Sequence, residues 1–442
     1  MLPAQKAVEK RHELLGRLLE ARARTDELFT LVKEDALYRR PIAERHRIVF
    51  YIGHLETFDW NLLRDRLLGV EPFHPEFDKL FAFGIDPIGG GLPDDGPEDW
   101  PTLDEIHTYV KTSRAMLDEG LDKALASEEE REFSGSVLMN VAVEHRLMHA
   151  ETLIYMLHQM SLDHLHRKPA RPELLISPSV PNMIEIPEGE TTLGLSYTQP
   201  DEFGWDNEYE AHTVSVPGFS IDQYKVTNGE YREFISAGGY ENGDLWTEED
   251  WQWRTENNIT HPVFWKQHGD HWHYRTLFDE IPLPLEWPVY VSHGEASAYA
   301  RWAGKSLPSE AQWQRSAYGT LEGAERPYPW GSERPSGKLG NFDFHRWDPT
   351  PVSAFPQGQS AFGVTDIVGN GWEWTSSVFG PFPGFQAFSF YPGYSANFFD
   401  GRHYVLKGGS ARTAACMLRR SFRNWFQGQY QYVYAGFRCV SE

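Results

Sequence analysis

The chain changes its pattern of apolar residues near residue 165, and this change constrains the fold more than any other feature. Before it, apolar residues recur every three or four positions between charges, as at Leu14, Leu15, Leu18, Leu19 and Leu28. That is the period of an amphipathic helix. The spacing predicts helices over 13–32, from beyond Pro41 through His54 to Leu68, over 103–125, and over 127–159. Ser127 with Glu130 three residues on is a capping-box candidate for the last of these. The proline- and glycine-rich run 86–97 reads as a long loop. Four long helices with inward-facing side chains form a bundle, in which facing helices can present ligands to a shared centre.

Beyond residue 165 the pattern is different. Arg167-Lys-Pro-Ala-Arg-Pro172 is a proline-bearing linker, followed by short strand-like runs at 183–187 and 213–216. Gly, Pro, Trp and Tyr are frequent, the clearest helical period is at 294–303, and no internal repeat is evident. The expected class is therefore α+β. A four-helix bundle occupies 1–165, a linker 166–180, and an irregular domain with little regular secondary structure 181–442.

A formal net charge of −23 opposes binding to nucleic acid, whose phosphates it would repel. Two cysteines, Cys416 and Cys439, cannot supply a disulfide framework for a chain of 442 residues, which points to the cytoplasm. The first residues lack the apolar core of a signal peptide, and no apolar run reaches membrane-spanning length. A soluble cytoplasmic protein without a membrane partner is expected. Nothing in the pattern specifies an oligomeric state.

The segment His145-Arg-Leu-Met-His149 places two imidazoles on one helical face. A third from a neighbouring helix, His54, would complete a three-histidine site with open coordination positions. Such a neutral nitrogen set suits iron, zinc, copper or nickel rather than magnesium or calcium. Read alone, a histidine pair of this kind is more often surface or core decoration than a metal site, and His54 more often a core residue beside Phe50 and Trp60. Glu151 lies about 200° around the helix from His149, so it reads as a structural carboxylate, as do Glu144 and Glu56.

A run of motifs in the second half resembles the formylglycine-generating-enzyme-like, or sulfatase-modifying-factor, domain of C-type-lectin-like fold. They are Tyr224-Lys-Val-Thr-Asn-Gly-Glu-Tyr231, Trp287-Pro-Val-Tyr-Val-Ser292, Ala300-Arg-Trp-Ala-Gly-Lys-Ser-Leu-Pro-Ser-Glu-Ala-Gln-Trp313 and Tyr328-Pro-Trp-Gly331. Gly369-Asn-Gly-Trp-Glu-Trp-Thr375, Leu406-Lys-Gly-Gly-Ser410 and Ala435-Gly-Phe-Arg-Cys439 follow in the same order. Each also has a purely structural reading, as glycine turns and tryptophan packing. The copper-binding cysteine pair of formylglycine-generating enzymes is not evident, which argues against sulfatase modification. Preceded by a bundle carrying His54 and His145-x3-His149-x-Glu151, the whole chain resembles the EgtB family of ergothioneine-pathway sulfoxide synthases. These join a DinB-like bundle to such a domain.

The resemblance implies iron(II) held by His54, His145 and His149, with oxygen as cosubstrate. It implies a reaction joining cysteine to carbon 2 of the imidazole of hercynine (Nα-trimethylhistidine), leaving a sulfoxide. The stretch Arg420-Ser-Phe-Arg-Asn-Trp425 matches the part of the family that lines the substrate site, so Asn424, Trp425 and Phe426 are substrate-binding candidates. Met148 stands where some relatives carry a glutamine that contacts hercynine. Phe379, Phe382, Phe385 and Phe388 occupy the loop where better-known members use a tyrosine as proton donor. Tyr391, Tyr394, Tyr430, Tyr432 and Tyr434 are the replacements on offer. No arginine occurs in 67–113, where relatives that use γ-glutamylcysteine carry arginines for its extra carboxylate, so free cysteine is the expected donor. A structural calcium ion beside Asn370 and Glu373 is a further candidate. The alternatives are the same reaction with γ-glutamylcysteine, a selenoneine- or ovothiol-type synthase, and a non-catalytic metal- or ligand-binding protein.

Overall fold

In the computed structural model, the helical period of the first part becomes α1 (Pro3–Phe29), α2 (Ile48–Leu63), α3 (Pro75–Phe83), α4 (Leu103–Ala126) and α5 (Gly135–His158). The structure describes residues 3–83, 92–126, 134–168, 174, 180, 182–198 and 202–441. It divides into two compact units, Met1–Lys168 and Pro169–Glu442. Among the described residues, no helix is long and apolar enough to cross a membrane.

Within the first unit, α1 packs on α5, and α2 packs on α3, α4 and α5. Burial shows which helices are interior. α2 buries 13 of its 16 residues and α5 buries 17 of its 24, whereas α4 buries one stripe. A helix apolar nearly all round must be enclosed by its neighbours, so α2 and α5 form the middle of the bundle. α2 starts at Ile48, not directly after Pro41, and its end passes through a π-helical turn, Arg64–Leu68, to Gly69 at φ +63°. α3 was not foreseen, because nine residues give too short a period to separate from a loop. The expected cap at Ser127 and Glu130 lies outside the described residues. Within them, α5 begins at the N-cap Ser134, whose hydroxyl accepts from Val137 N.

A buried ion network locks these helices together. Arg146 of α5, fully buried, donates to Asp59 at 2.6 Å and Glu56 at 2.9 Å, both on α2. Arg114 of α4 joins Glu56 (2.6 Å) to Asp26 of α1 (2.7 Å). Burial pushes the Asp59 carboxyl up, while at Glu56 the Arg146 and Arg114 charges outweigh burial and hold it down at about 2.

The second unit carries short strands in four small sheets. β1 (Met183–Ile186), β4 (Phe219–Asp222) and β12 (Val440–Ser441) form one, and β2 (Gly189–Leu193) with β3 (His212–Val216) a second. β5 (Trp265–His268), β6 (His271–Arg275) and β7 (Glu280–Pro282) form a third. The fourth is ordered β10 (Asn424–Gln427), β9 (His403–Lys407), β8 (Trp372–Val378), β11 (Ala435–Gly436). Helices α6 (Asn228–Ser236), α7 (Glu248–Glu256), α8 (His293–Trp302) and α9 (Glu310–Tyr318) lie between them in sequence. The strands expected at 183–187 and 213–216 and the helix expected at 294–303 correspond to β1, β3 and α8. An apolar core gathers Ile186, Phe219 and Ile221 from strands with Trp313 and Tyr318 from α9. Cys416 and Cys439 are not joined in a disulfide.

Four of the seven motifs of this unit converge on one carboxylate. Glu373, fully buried, accepts from Arg438 at 2.7 and 2.8 Å, from Trp313 Nε1 at 2.8 Å, and lies 3.1 Å from Lys225 Nζ. Burial would raise its pKa, but the charges of Arg438 and then Lys225 outweigh it and hold it low. The backbone leading into Glu373 runs through left-handed positions, Gly369 at φ +92° and Asn370 at +62°, and a Cβ on Gly369 would meet the Asn341 carbonyl at 2.8 Å. Asn370 is bonded to Asp366, Thr350 and Asn341. Calcium does not fit here. Both Glu373 oxygens already face cations, and a further cation would meet Arg438 and Lys225. Glu373→Gln keeps the shape but leaves buried Arg438 without its carboxylate and Lys225 with Asp366 as its remaining carboxylate, and should destabilise the protein by about 3–5 kcal/mol. Urea unfolding measures this, and a loss below about 1 kcal/mol would show the network to be dispensable.

Candidate functional site

Phe50, His54 and Phe58 are spaced four apart on α2 and so share one face. His145 and His149 do the same on α5. Phe50 stacks on His54, with ring centroids 4.7 Å apart, and Phe58 stacks on His145 at 3.4 Å and 11°. The His54 ring lies 5.3 Å from that of His145 and 4.8 Å from that of His149. One ring nitrogen from each of the three lies within 4.8 Å of the others.

Their chemistry suits a metal ion. His54 Nδ1 lies 2.7 Å from the Phe81 carbonyl, which can only accept, so the proton sits on Nδ1 and Nε2 keeps its lone pair. That Nε2 is 3.2 Å from His149 Nε2. Two nitrogens bound about 2.1 Å from one ion are about 3.0–3.4 Å apart, so the spacing already fits. Burial, and after it the charges of the neighbouring histidines, hold His145 and His149 well below the usual imidazole value of 6.5. Both are neutral at pH 7, the form that binds metal.

Three elements hold the cluster. Arg146, next to His145, ties α5 to α2 through Asp59, Glu56 and the Leu55 carbonyl. Phe58 fixes the plane of the His145 ring. Gly53 lets α3 approach, because a Cβ there would lie 2.3 Å from the Phe81 ring. That approach carries the Phe81 carbonyl to His54. Glu144 and Glu151 are buried on α5, and Met148 is half-buried beside His149. Tyr51, whose ring lies 5.7 Å from that of His149, is a further neighbour that sequence reading missed. Its signal was its place one turn before His54. Phe58 could have been found by the same four-residue spacing. Phe81 could not, since only the docking of α3 brings it near.

The C-terminal candidates lie on and around β10, which pairs antiparallel with β9. Asn424 Oδ1 accepts from Trp425 N at 2.9 Å, which leaves its amide protons as donors. Trp425 stacks flat on Phe379 (4.2 Å, 6°) and meets Tyr394 at 5.3 Å and Phe398 at 5.6 Å. Tyr394 stacks in turn on Trp205 (4.0 Å), and Tyr391 lies 5.5 Å from Tyr394. Phe426 stacks instead on Tyr430, which meets Tyr432. Tyr434 is buried against Tyr290 and Phe264. The structure thus groups Tyr391 and Tyr394 with Trp425, groups Tyr430 and Tyr432 with Phe426, and places Tyr434 apart from both. Arg423, paired to Glu310 at 2.9 Å, lies over Phe382 at 3.9 Å and steadies the phenylalanine-rich loop.

Gly53→Ala should push α3 away from α2 and remove the Phe81 carbonyl from His54. The affinity of the three-histidine cluster for a transition-metal ion should fall by about ten- to hundredfold, the range for losing a partner that orients a metal-binding histidine. Titration with a divalent transition-metal ion measures it, and unchanged affinity would show that His54 does not depend on α3.

The profile of the sulfatase-modifying factor enzyme 1-like domain matches residues 171–442, and that of the DinB superfamily matches residues 17–172. Hercynine oxygenase from Mycolicibacterium thermoresistibile is 33% identical over 98% of this chain and 96% of its own length. Hercynine oxygenase from Mycobacterium tuberculosis is 42% identical over 53% of this chain and 55% of its own length. Ergothioneine biosynthesis protein 1 from Neurospora crassa is 28% identical over 93% of this chain and 56% of its own length. The match therefore spans little more than half of these last two proteins. With both profiles adjoining and one relative matched nearly end to end, the chain belongs to the family of hercynine oxygenases, in which a DinB unit is joined to a sulfatase-modifying factor enzyme 1-like domain.

Proposed function

We propose that this chain is an iron(II)- and oxygen-dependent sulfoxide synthase that joins the sulfur of cysteine to carbon 2 of the hercynine imidazole, giving hercynylcysteine sulfoxide. The observation that carries this reading is the convergence of three imidazoles, two of them held neutral by burial, in a member of the hercynine oxygenase family. We assign His54, His145 and His149 as the ligands. The atoms balance: the imidazole C–H and the thiol S–H are lost, one oxygen atom enters the sulfoxide, and the other leaves as water with the two hydrogens. When bound, iron(II) supplies the one-electron chemistry by which oxygen reacts with the two substrates.

The remaining tasks fall to the chain's own residues. Phe50 and Phe58 cover the faces of His54 and His145, which keeps water from the imidazoles. Three neutral ligands leave positive charge uncompensated, and that favours cysteine as its thiolate in a low-dielectric setting. A trimethylammonium group has no N–H to donate, so its recognition falls to aromatic faces, for which Trp425, Phe379 and Tyr394 are the proposed set. Asn424, with amide protons to give, is the proposed partner of the hercynine carboxylate, and Met148 and Phe426 complete the proposed substrate contacts. Burial, with the Asp206 charge behind it, pushes the Tyr391 hydroxyl up to about 12, so it holds its proton at neutral pH. We give the proton-donor role to Tyr391 or its neighbour Tyr394, ahead of Tyr430, Tyr432 and Tyr434. Cys416 and Cys439, not joined in a disulfide, suit a reducing cytoplasm, where we place the reaction.

Anaerobic iron loading, followed by oxygen uptake and product mass with hercynine and each thiol, tests the proposal. His149→Ala should abolish both uptake and iron retention while the fold persists by circular dichroism. A variant that keeps full iron content and turnover would defeat the ligand assignment. The donor preference follows from the missing arginines in 67–113. An extra carboxylate buried without a partner costs on the order of 1–3 kcal/mol, about one to two decades in specificity. Cysteine should therefore show the higher kcat/KM in direct competition with γ-glutamylcysteine, and the reverse order would place a cation at the donor site that the sequence does not reveal.

A further inference from the structure

The register of the small β5–β6–β7 sheet sets a second group of ligand-type side chains on one face. Opposed residues of antiparallel strands share a face, and so do residues two apart on one strand. His268 stands opposite His271, Lys266 opposite His273, and Arg275 opposite Glu280. His268, His271, His273 and Glu280 therefore share a face, and His268, His273 and Glu280 form a diagonal across all three strands. His268 Nε2 is 2.6 Å from Glu280 Oε1, and the His268 and His273 rings are 4.7 Å apart. One ring nitrogen from each histidine and a Glu280 oxygen lie within 4.8 Å of one another.

An ordinary surface ion pair would account for His268 and Glu280 alone. It does not account for His273, whose Nδ1 is closed off from water and makes no hydrogen bond among the described residues. Buried polar atoms normally have a partner, and a nitrogen without one beside a histidine and a carboxylate points to a cation. We propose that His268, His273 and Glu280 bind a divalent transition-metal ion of the zinc class. Two imidazole nitrogens and one carboxylate oxygen are a donor set such ions take, with water in the remaining position. Lys266 is exposed, and its flexible chain can turn its charge to solvent. Each ligand comes from a different strand, so the ion cross-links a sheet whose first two strands are otherwise joined by the two-residue turn Gly269-Asp270. The role is structural, and the site is independent of the three-histidine centre in the other unit.

The test is equilibrium dialysis of the full-length protein against low-micromolar zinc, with wild type, His268→Ala and Glu280→Gln compared. The His268 side chain is 56% exposed, so its removal leaves the core intact, and metal-free melting curves serve as the control. His268→Ala should hold one zinc ion fewer per chain than wild type, whatever the three-histidine centre holds in both. Glu280→Gln should weaken that same ion by more than about tenfold. Equal zinc content and affinity in wild type and His268→Ala would overturn the site.

Discussion

The first unit depends on one guanidinium. Arg146 sits on one of the two enclosed helices, in contact with two carboxylates of the other, and Arg114 extends the chain of charges to α4 and α1. Apolar packing alone would let α5 rotate or slide, since most of its surface is buried whichever way it turns. A charge that must meet two fixed carboxylates allows one rotation only. That rotation is the one that turns His145, the residue before Arg146, toward α2. The energetics favour this reading over simple stabilisation. A buried ion pair gains little over well-packed apolar groups, whereas breaking one costs about 3–5 kcal/mol. The network acts by making the wrong arrangements expensive.

The second unit applies the same device to an irregular chain. Lys225, Trp313, Glu373 and Arg438 come from four motifs scattered over more than half of that unit, yet all meet at one carboxylate. This explains why a domain with short strands and long connections keeps a definite shape. Strand pairing in four small sheets supplies few backbone hydrogen bonds, and a shared buried anion supplies the long-range agreement that a large sheet would otherwise give. The glycine and left-handed asparagine before Glu373 are part of that arrangement, because the backbone must turn sharply to deliver the carboxylate.

Much of this was legible in the sequence, and the rest was hidden for identifiable reasons. His145 and His149 declare themselves through helical spacing, and four of the seven family motifs each supply a member of one network. Helix existence was readable from a 3.6-residue period, whereas α3 at nine residues was not, and the Phe81 carbonyl came in with it. No backbone carbonyl carries a sequence signature. The calcium candidate failed because Glu373 reads from sequence as a spare carboxylate, and only the fold reveals that Arg438 and Lys225 occupy it. The histidines of β5 and β6 were invisible for another reason: two-residue alternation assigns faces only once the register is known.

The hydrogen bond from His54 to Phe81 gives the bundle a property that none of its parts has alone. The proton on Nδ1 makes Nε2 the better donor to a metal ion, and a bound ion in turn makes that Nδ1–H the stronger hydrogen-bond donor to α3. Binding at one end and docking at the other are thus two halves of a single equilibrium. By reciprocity, each must favour the other by the same factor. α3, at nine residues, is the shortest of the five described α-helices of this unit, and its docking is what a bound ion would reinforce. An ion bound at the centre would therefore do more than arm it: it would hold a nine-residue helix more tightly on the bundle.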